Sequence, residues 1–323
     1  MNILVGYTGF VGSNLYNQYK FDKVFNSKNI NDAFGTNPNL CVYAGIRAEK
    51  FRADKFPEND LAHINEAILI IEKINPKQLV LISTVDVIPP TQSGAVFEDT
   101  VYSTDSLTPY GKNRLHLESE IRSRYPNSLI VRLPALFGNG LKKNFIYDII
   151  NYIPSMLNKA KFEELFALNK NISNFYSVDE NNFFRLIQNI SNDKRILLKS
   201  IFKELGFSAL NFTDSRSIFS FYNLKYLWNH IEILLSNNIT MAHMANEPIR
   251  VAEIYQKVYK ECFNNEIAVN PFNYTFFRTK NARILNTNVL NESIGYIFNK
   301  EIVVGEISEF VLDAIKHSYK NEL

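Results

Sequence analysis

The chain has 323 residues, 46% of them hydrophobic, with 35 Lys and Arg against 33 Asp and Glu. That length accommodates one large or two medium domains, and the apolar fraction is too high for a disordered chain. A charge balance near zero, with no run of basic residues, leaves no electrostatic footprint for a nucleic-acid binder.

Two cysteines, Cys41 and Cys262, stand in unrelated contexts, and Cys41 falls in the apolar run Leu40 to Ala44. A buried free thiol, a reducing cytoplasm and no disulfide are expected. No stretch approaches the roughly 18 uninterrupted apolar residues of a membrane helix, so a soluble protein with no membrane partner is expected. The start, Met1-Asn2-Ile3-Leu4-Val5-Gly6, lacks a basic leader and reads as a first strand.

In chain order, Ile3 to Val5, Val24-Phe25, Leu40 to Ala44, Leu79 to Ser83 and Leu129 to Leu133 are short apolar runs of the kind that form buried strands. Between them Pro57 opens a stretch in which Leu61, Ile64, Ile68, Ile71 and Ile74 recur at helical spacing until Pro76. Strand and helix in alternation imply parallel strands joined by crossovers. The fold class expected is α/β: residues 1–140 resemble a Rossmann-type doubly wound parallel sheet, with 216–245 returning to it. Residues 141–215 and 246–323 are expected to form a smaller, mainly helical, discontinuous substrate-binding region, with helical stretches at Val178 to Ile190 and Asp193 to Leu205.

The turn Gly6-Tyr7-Thr8-Gly9-Phe10-Val11-Gly12 follows a strand and opens an apolar helix, the context a dinucleotide fingerprint needs. Gly6 would allow the tight turn, Gly9 close approach to a pyrophosphate, and Gly12 packing of helix on strand. About 20 residues on, where a carboxylate would hold the ribose of NAD, stand Asn26-Ser27-Lys28. The Ser27 hydroxyl and Lys28 ammonium could instead bind a 2′-phosphate, which favours NADP(H) over NAD(H). Asp32 could still reach the adenosine, and ordinary turn residues would look the same.

The strand ending Ser83-Thr84, the later Pro109-Tyr110-Gly111-Lys112-Asn113-Arg114, Asn59 near the head of a helix, and Arg132-Leu133-Pro134-Ala135-Leu136-Phe137-Gly138 add to that turn. With them the chain resembles the extended short-chain dehydrogenases/reductases, the NAD(P)-dependent sugar-nucleotide epimerase, dehydratase and reductase family. The resemblance weakens after about residue 145. It implies hydride transfer at a sugar carbon, with Thr84, Tyr110 and Arg114 as the catalytic set, and Phe10, Val11, Ala44, Gly45 and Leu133 along the cofactor. It also implies a homodimer through the Pro57 and Tyr110 helices.

A tyrosine ordinarily titrates near 10, so its use as an acid or base near neutrality calls for a cation. The family places a lysine four residues after the tyrosine. Here Arg114 stands there, on the same helix face but planar and permanently charged. Thr84 could hold the reacting oxygen or cap the next turn. Dehydratases of the family carry an acid where this chain has Val85, so dehydration is disfavoured and a 4-ketoreductase or 4-epimerase is expected. Asp86 could be a second base or a turn former.

The implied substrate is a nucleoside-diphosphate sugar, with Lys143, Asn144, Arg216 and Arg283 as candidate contacts among a wider set of cations that includes Arg132, Arg278 and Lys280. Five histidines show no metal-ligand spacing, and no metal is expected. A second reading is a cofactor-binding sensor or assembly protein in which Arg114 has replaced the lysine and chemistry is lost.

Overall fold

The computed structural model describes residues 1–179, 181–286 and 295–320. The apolar runs form the centre of a six-stranded parallel sheet: β1 (Asn2–Val5), β2 (Lys23–Phe25), β3 (Leu40–Tyr43), β4 (Gln78–Thr84), β5 (Leu129–Leu133) and the strand Met241–His243. The order across the sheet is β2, β1, β3, β4, β5, Met241–His243. Period-2 alternation sends Leu4, Val42, Val80 and Val131 to one face, and Ile3, Val5, Cys41, Leu79, Leu81 and Ile130 to the other. The first set packs on Leu15 of helix α1 (Phe10–Gln18) and on Trp228, Ile231 and Leu234.

The second face is covered by helix α3 (Pro57–Ile74) and helix α4 (Pro109–Arg124), with the short helix α2 (Lys50–Lys55) before them. Pro57 occupies the first turn of α3, where its missing N–H is no loss. Asn75 closes the helix in the left-handed conformation, at φ 54°. Ile64, Ile68, Ile71 and Ile74 are buried as their spacing requires, and Leu61 is half-buried. Thr108 caps α4 by accepting from the Gly111 N–H. The buried side of α4 is largely polar, with Tyr110, Asn113, Arg114 and Glu118 beside Leu117 and Ile121.

One expected crossover is missing. Between β2 and β3 the chain makes only a 3₁₀ turn, Ile30–Ala33, so β2 is a three-residue strand at the sheet edge.

Two compact units are distinguished within the chain. The first takes in Met1–Leu141, Ile218–Ile249 and Phe272–Glu306; the second takes in Lys142–Ser217, Arg250–Pro271 and Ile307–Leu323. The segment 272–306, expected in the substrate-binding region, groups with the sheet instead. Residues 287–294 and 321–323 of that expectation lie outside the described residues. The second unit has helices at Phe145–Asn151, Lys159–Leu168, Asn192–Glu204 and Val251–Tyr259.

The helix expected over Val178 to Ile190 is not formed. Tyr176–Val178 and Phe184–Leu186 are strands of a small antiparallel sheet with Met156–Leu157. The reason is tertiary: Phe184 stacks on Phe162 at 3.7 Å between centroids, a contact that an extended segment makes. Among the described residues no helix is long and apolar enough to cross a membrane.

Two buried histidines make the fold sensitive to acid. His243 Nε2 lies 3.2 Å from Arg132 Nη1, which can only donate, so the ring proton sits on Nδ1, 2.7 Å from the Arg278 carbonyl. His230 Nδ1 lies 2.7 Å from the Tyr222 hydroxyl. Burial depresses both imidazoles to about 4, against an ordinary value of 6.5. The unfolded chain therefore binds more protons than the native one between these values, and stability is lost as pH falls through that window. Denaturant titrations are expected to show stability dropping by up to about 1.4 kcal/mol per pH unit for each histidine from pH 6.5 towards 4. His243→Gln is expected to remove about half of that slope.

Candidate functional site

The glycine turn builds a cradle at the end of β1. Gly6 has φ +88°, and a Cβ there would lie 2.5 Å from the Ala44 carbonyl oxygen; one on Gly12 would lie 2.0 Å from the Gly6 carbonyl oxygen. Both positions need glycine on steric grounds. Gly9 is the N-cap of α1 and offers no side chain, so the first-turn N–H groups of α1 are left without a side-chain cap. An uncapped helix start beside a close-packed turn fits a pyrophosphate. Phe10 and Val11 lie in that first turn, and Ala44 and Gly45 follow β3 next to Gly6. At the end of β2, Asn26 Oδ1 accepts from the Lys28 N–H, leaving Ser27 and Lys28 exposed; Asp32 is exposed in the 3₁₀ turn.

Thr84 ends β4 in register with Leu133 of β5. Its hydroxyl caps the single 3₁₀ turn Val85–Val87: Oγ1 accepts from the Asp86 N–H at 3.2 Å and donates to Asp86 Oδ2 at 3.2 Å. Thr84 thus makes the turn cap that the sequence allowed. Helix α4 comes so close to this turn that a Cβ on Gly111 would sit 2.3 Å from the Asp86 carbonyl oxygen. The glycine after Tyr110 is what lets the tyrosine reach the strand end.

Tyr110 is 5% exposed. Arg114 stacks over its ring, with Cζ 4.4 Å from the centroid. The Arg114 fork donates to both Asp60 oxygens at 3.2 Å and to the Arg47 carbonyl at 2.7 Å. Asn113 also donates to Asp60, and the Tyr110 N–H donates to Asp54. Burial pushes the Tyr110 phenol up; the Arg114 guanidinium lowers it, and the Asp86 carboxylate raises it again. Burial therefore outweighs the guanidinium in this arrangement, and the net direction of the phenol is upward. Tyr274 donates to Asp86 Oδ1 at 3.1 Å, and Lys50 Nζ lies 2.5 Å from the same oxygen.

Several expected contacts are placed elsewhere. Arg132 is 4% exposed and committed to Glu118 at 2.6 Å, so it is no phosphate ligand. Arg216 holds Asp214 through two donors and pairs with Glu266. Asn144 caps the helix Phe145–Asn151 through its Oδ1. Asn59 is exposed. Lys143 and Arg283 are exposed. Lys280 pairs with Asp99, and Arg278 stacks on Tyr296.

Sequence reasoning missed Lys50, Asp54, Asp60 and Tyr274. Asp60 alone had a signal, since a buried arginine requires a carboxylate and Asp60 lies in the first turn of the packed neighbour helix. Among the described residues no group of three or more His, Cys, Asp or Glu is placed to hold a metal.

No protein-family model matches the sequence, and no curated protein compared with it matches. Solved structures do. A dTDP-4-dehydrorhamnose reductase from Bacillus anthracis str. Ames in complex with NADP is 15% identical over 97% of this chain and 99% of its own, with a TM-score of 0.59. The reductase of the same name from Yersinia enterocolitica is 12% identical over 97% and 98%, at 0.59. A UDP-N-acetylglucosamine 4-epimerase from Methanobrevibacter ruminantium M1 in complex with UDP-N-acetylmuramic acid is 12% identical over 98% of both chains, at 0.60. The chain has the fold of these enzymes: the likeness covers 97–98% of it and includes the Rossmann-type α/β sheet of the first unit.

Arg114 and Asp60 test the site's construction, since their side chains are 4% and 14% exposed. Asp60→Ala strands a buried guanidinium and is expected to cost about 3–5 kcal/mol, read by thermal or urea unfolding. Replacing both by leucine should recover most of that loss.

Proposed function

We propose that the chain is an NAD(P)H-dependent oxidoreductase acting on a nucleoside-diphosphate sugar, as a 4-ketoreductase or a 4-epimerase. The observation that carries the reading is a buried tyrosine of α4, stacked under Arg114 and brought to the turn after β4, on the same sheet whose β1 end forms an open glycine cradle. The uncapped start of α1 would hold the pyrophosphate, and the cofactor when bound supplies the hydride.

Tyr110 then gives its phenolic proton to the carbonyl oxygen, so that ketone becomes alcohol. Arg114, stacked on the ring, stabilises the phenolate left behind. Leu133 closes the strand end beside Thr84. Asp86 is held by Lys50, Tyr274 and Thr84 and acts as an anchor for these groups rather than as a second base.

NADPH is preferred to NADH because residues 26–28 carry a hydroxyl and an ammonium and no carboxylate. Arg283, an exposed cation of the unit that carries the sheet, is the one proposed for the substrate's diphosphate. A cytoplasmic homodimer pairing α3 and α4 with their two-fold copies completes the reading.

Tyr110→Phe is expected to lower turnover of a 4-keto nucleotide sugar by roughly 10²- to 10⁴-fold with cofactor affinity little changed. The wild-type reduction rate should stay flat through neutral pH and fall only above about pH 10. A wild type inert across a panel of 4-keto and 4-hydroxy nucleotide sugars, yet binding NADPH, would instead support the sensor. Calorimetry should give NADPH the tighter binding, with Lys28→Ala narrowing its advantage by roughly tenfold, about 1.4 kcal/mol.

A further inference from the structure

Arg114 stacks on the tyrosine ring, but its hydrogen-bonding fork is committed to a neighbour. Both halves of its fork reach Asp60, and the remaining contact goes to the Arg47 backbone carbonyl. The pair is almost fully buried. A guanidinium also keeps its protons at any accessible pH and cannot exchange one with the phenol.

A second cation stands at the Asp86 carboxylate, one of the groups that act on Tyr110. Lys50 opens α2, and its ammonium lies 2.5 Å from Asp86 Oδ1 with the side chain 37% exposed. Asp86 Oδ1 also accepts from the Tyr274 hydroxyl, and Oδ2 accepts from Thr84. One carboxylate thus gathers an ammonium, a phenol and an alcohol at the strand end where Tyr110 is buried. The segment that carries Lys50 is tied to α4 on either side, at the Arg47 carbonyl by Arg114 and at Asp54 by the Tyr110 N–H.

We propose that Lys50 is a positioning residue of this site, which through its ion pair with Asp86 fixes the charge facing Tyr110 and holds the Thr84 and Tyr274 hydroxyls beside it. Arg114 is then chiefly the clamp that fastens α4 to residues 47 and 60. The duties of one cation are divided between two residues 64 positions apart in the chain. This assignment rests on the oxidoreductase reading for its meaning, but not for its test.

The groups acting on Tyr110 are Arg114 and Asp60 from the clamp, Asp86 from the turn after β4, Asp54 at its backbone, and Tyr274, whose own phenol is influenced by Tyr110. Asp86 raises the Tyr110 phenol, and Lys50 opposes Asp86. Asp86→Asn removes the carboxylate that raises the phenol, so Tyr110 should ionise at lower pH than in wild type. Lys50→Met leaves that carboxylate unpaired and should move the Tyr110 midpoint up from wild type by about one pH unit, a shift that should vanish in the Asp86→Asn background.

The experiment is a pH titration of ring-¹³C-labelled tyrosine by NMR on the full chain with NADP⁺ bound, with Tyr110 assigned by its loss in Tyr110→Phe. Equal Tyr110 midpoints in wild type and in Lys50→Met overturn the proposal. Different midpoints in the stated order support it, whether or not the protein turns over any sugar.

If the wild type does turn over, Lys50→Met should slow the alcohol-oxidising direction, in which Tyr110 must accept a proton, by roughly tenfold near neutral pH, with its rising limb moved upward. Lys50→Arg should retain most of the rate. A Lys50→Met enzyme with an unmoved pH profile would count against the proposal, whereas a wild type inert on every sugar would overturn only the oxidoreductase reading.

Discussion

Helix α4 is docked on the sheet by a buried ion pair, and the geometry of the whole strand end depends on it. Glu118 of α4 receives three contacts from Arg132 of β5 and one from the Ser83 hydroxyl of β4, at 2.5 Å. Ser83, Arg132 and His243 are in-register neighbours on three adjacent strands, so the pair reaches across half the sheet. Glu118 and Arg132 are 1% and 4% exposed. Such a pair contributes little net stability over a well-packed apolar substitute, but removing one partner leaves a stranded charge. Its effect is to fix the rotation of α4, and with it the side of the helix that carries Tyr110.

The same economy governs the other end of that helix. Arg114 and Asn113 both converge on Asp60 of α3, so the two helices that cover one face of the sheet are joined by charge and hydrogen bonds as well as by Leu117, Ile121 and the isoleucines of α3. Glycine at 111 then allows backbone contact with the Asp86 turn. Tyr110 is thereby set from three directions, by the sheet, by α3 and by the turn that ends β4. Polar docking of this kind excludes alternative packings more sharply than apolar contact does, because a misplaced charge finds no partner.

Most of the sheet was legible because period-2 apolar runs and punctuating glycines and prolines are local signals. The β1 turn, the α3 stripe and the strand ending at Thr84 all belong to this class. Residues whose role is decided by a distant partner were not legible. Arg132 looks like any cation near a cleft until Glu118 is placed beneath it, and Arg216 until Asp214 and Glu266 enclose it. Val178 to Ile190 has a composition compatible with helix, yet stacking of Phe184 on Phe162 makes it a hairpin. Tyr274 and Lys50 meet Asp86 from sequence separations of 188 and 36 residues, and no pattern within the chain announces either.

Choosing arginine at position 114 has a consequence for how this chain can vary. Its forked head grips a carboxylate thirteen residues further along from the backbone carbonyl it also holds, since Asp60 and Arg47 are approached at once. A lysine has a single compact head, which could satisfy Asp60 or the carbonyl of residue 47 but is poorly shaped for both. Replacing Arg114 by lysine is therefore not a neutral change. It releases one anchor of the segment that carries Lys50, so Asp60 and Arg114 are the pair free to change only together, while the contact at residue 47 is made by backbone and outlasts any side chain there.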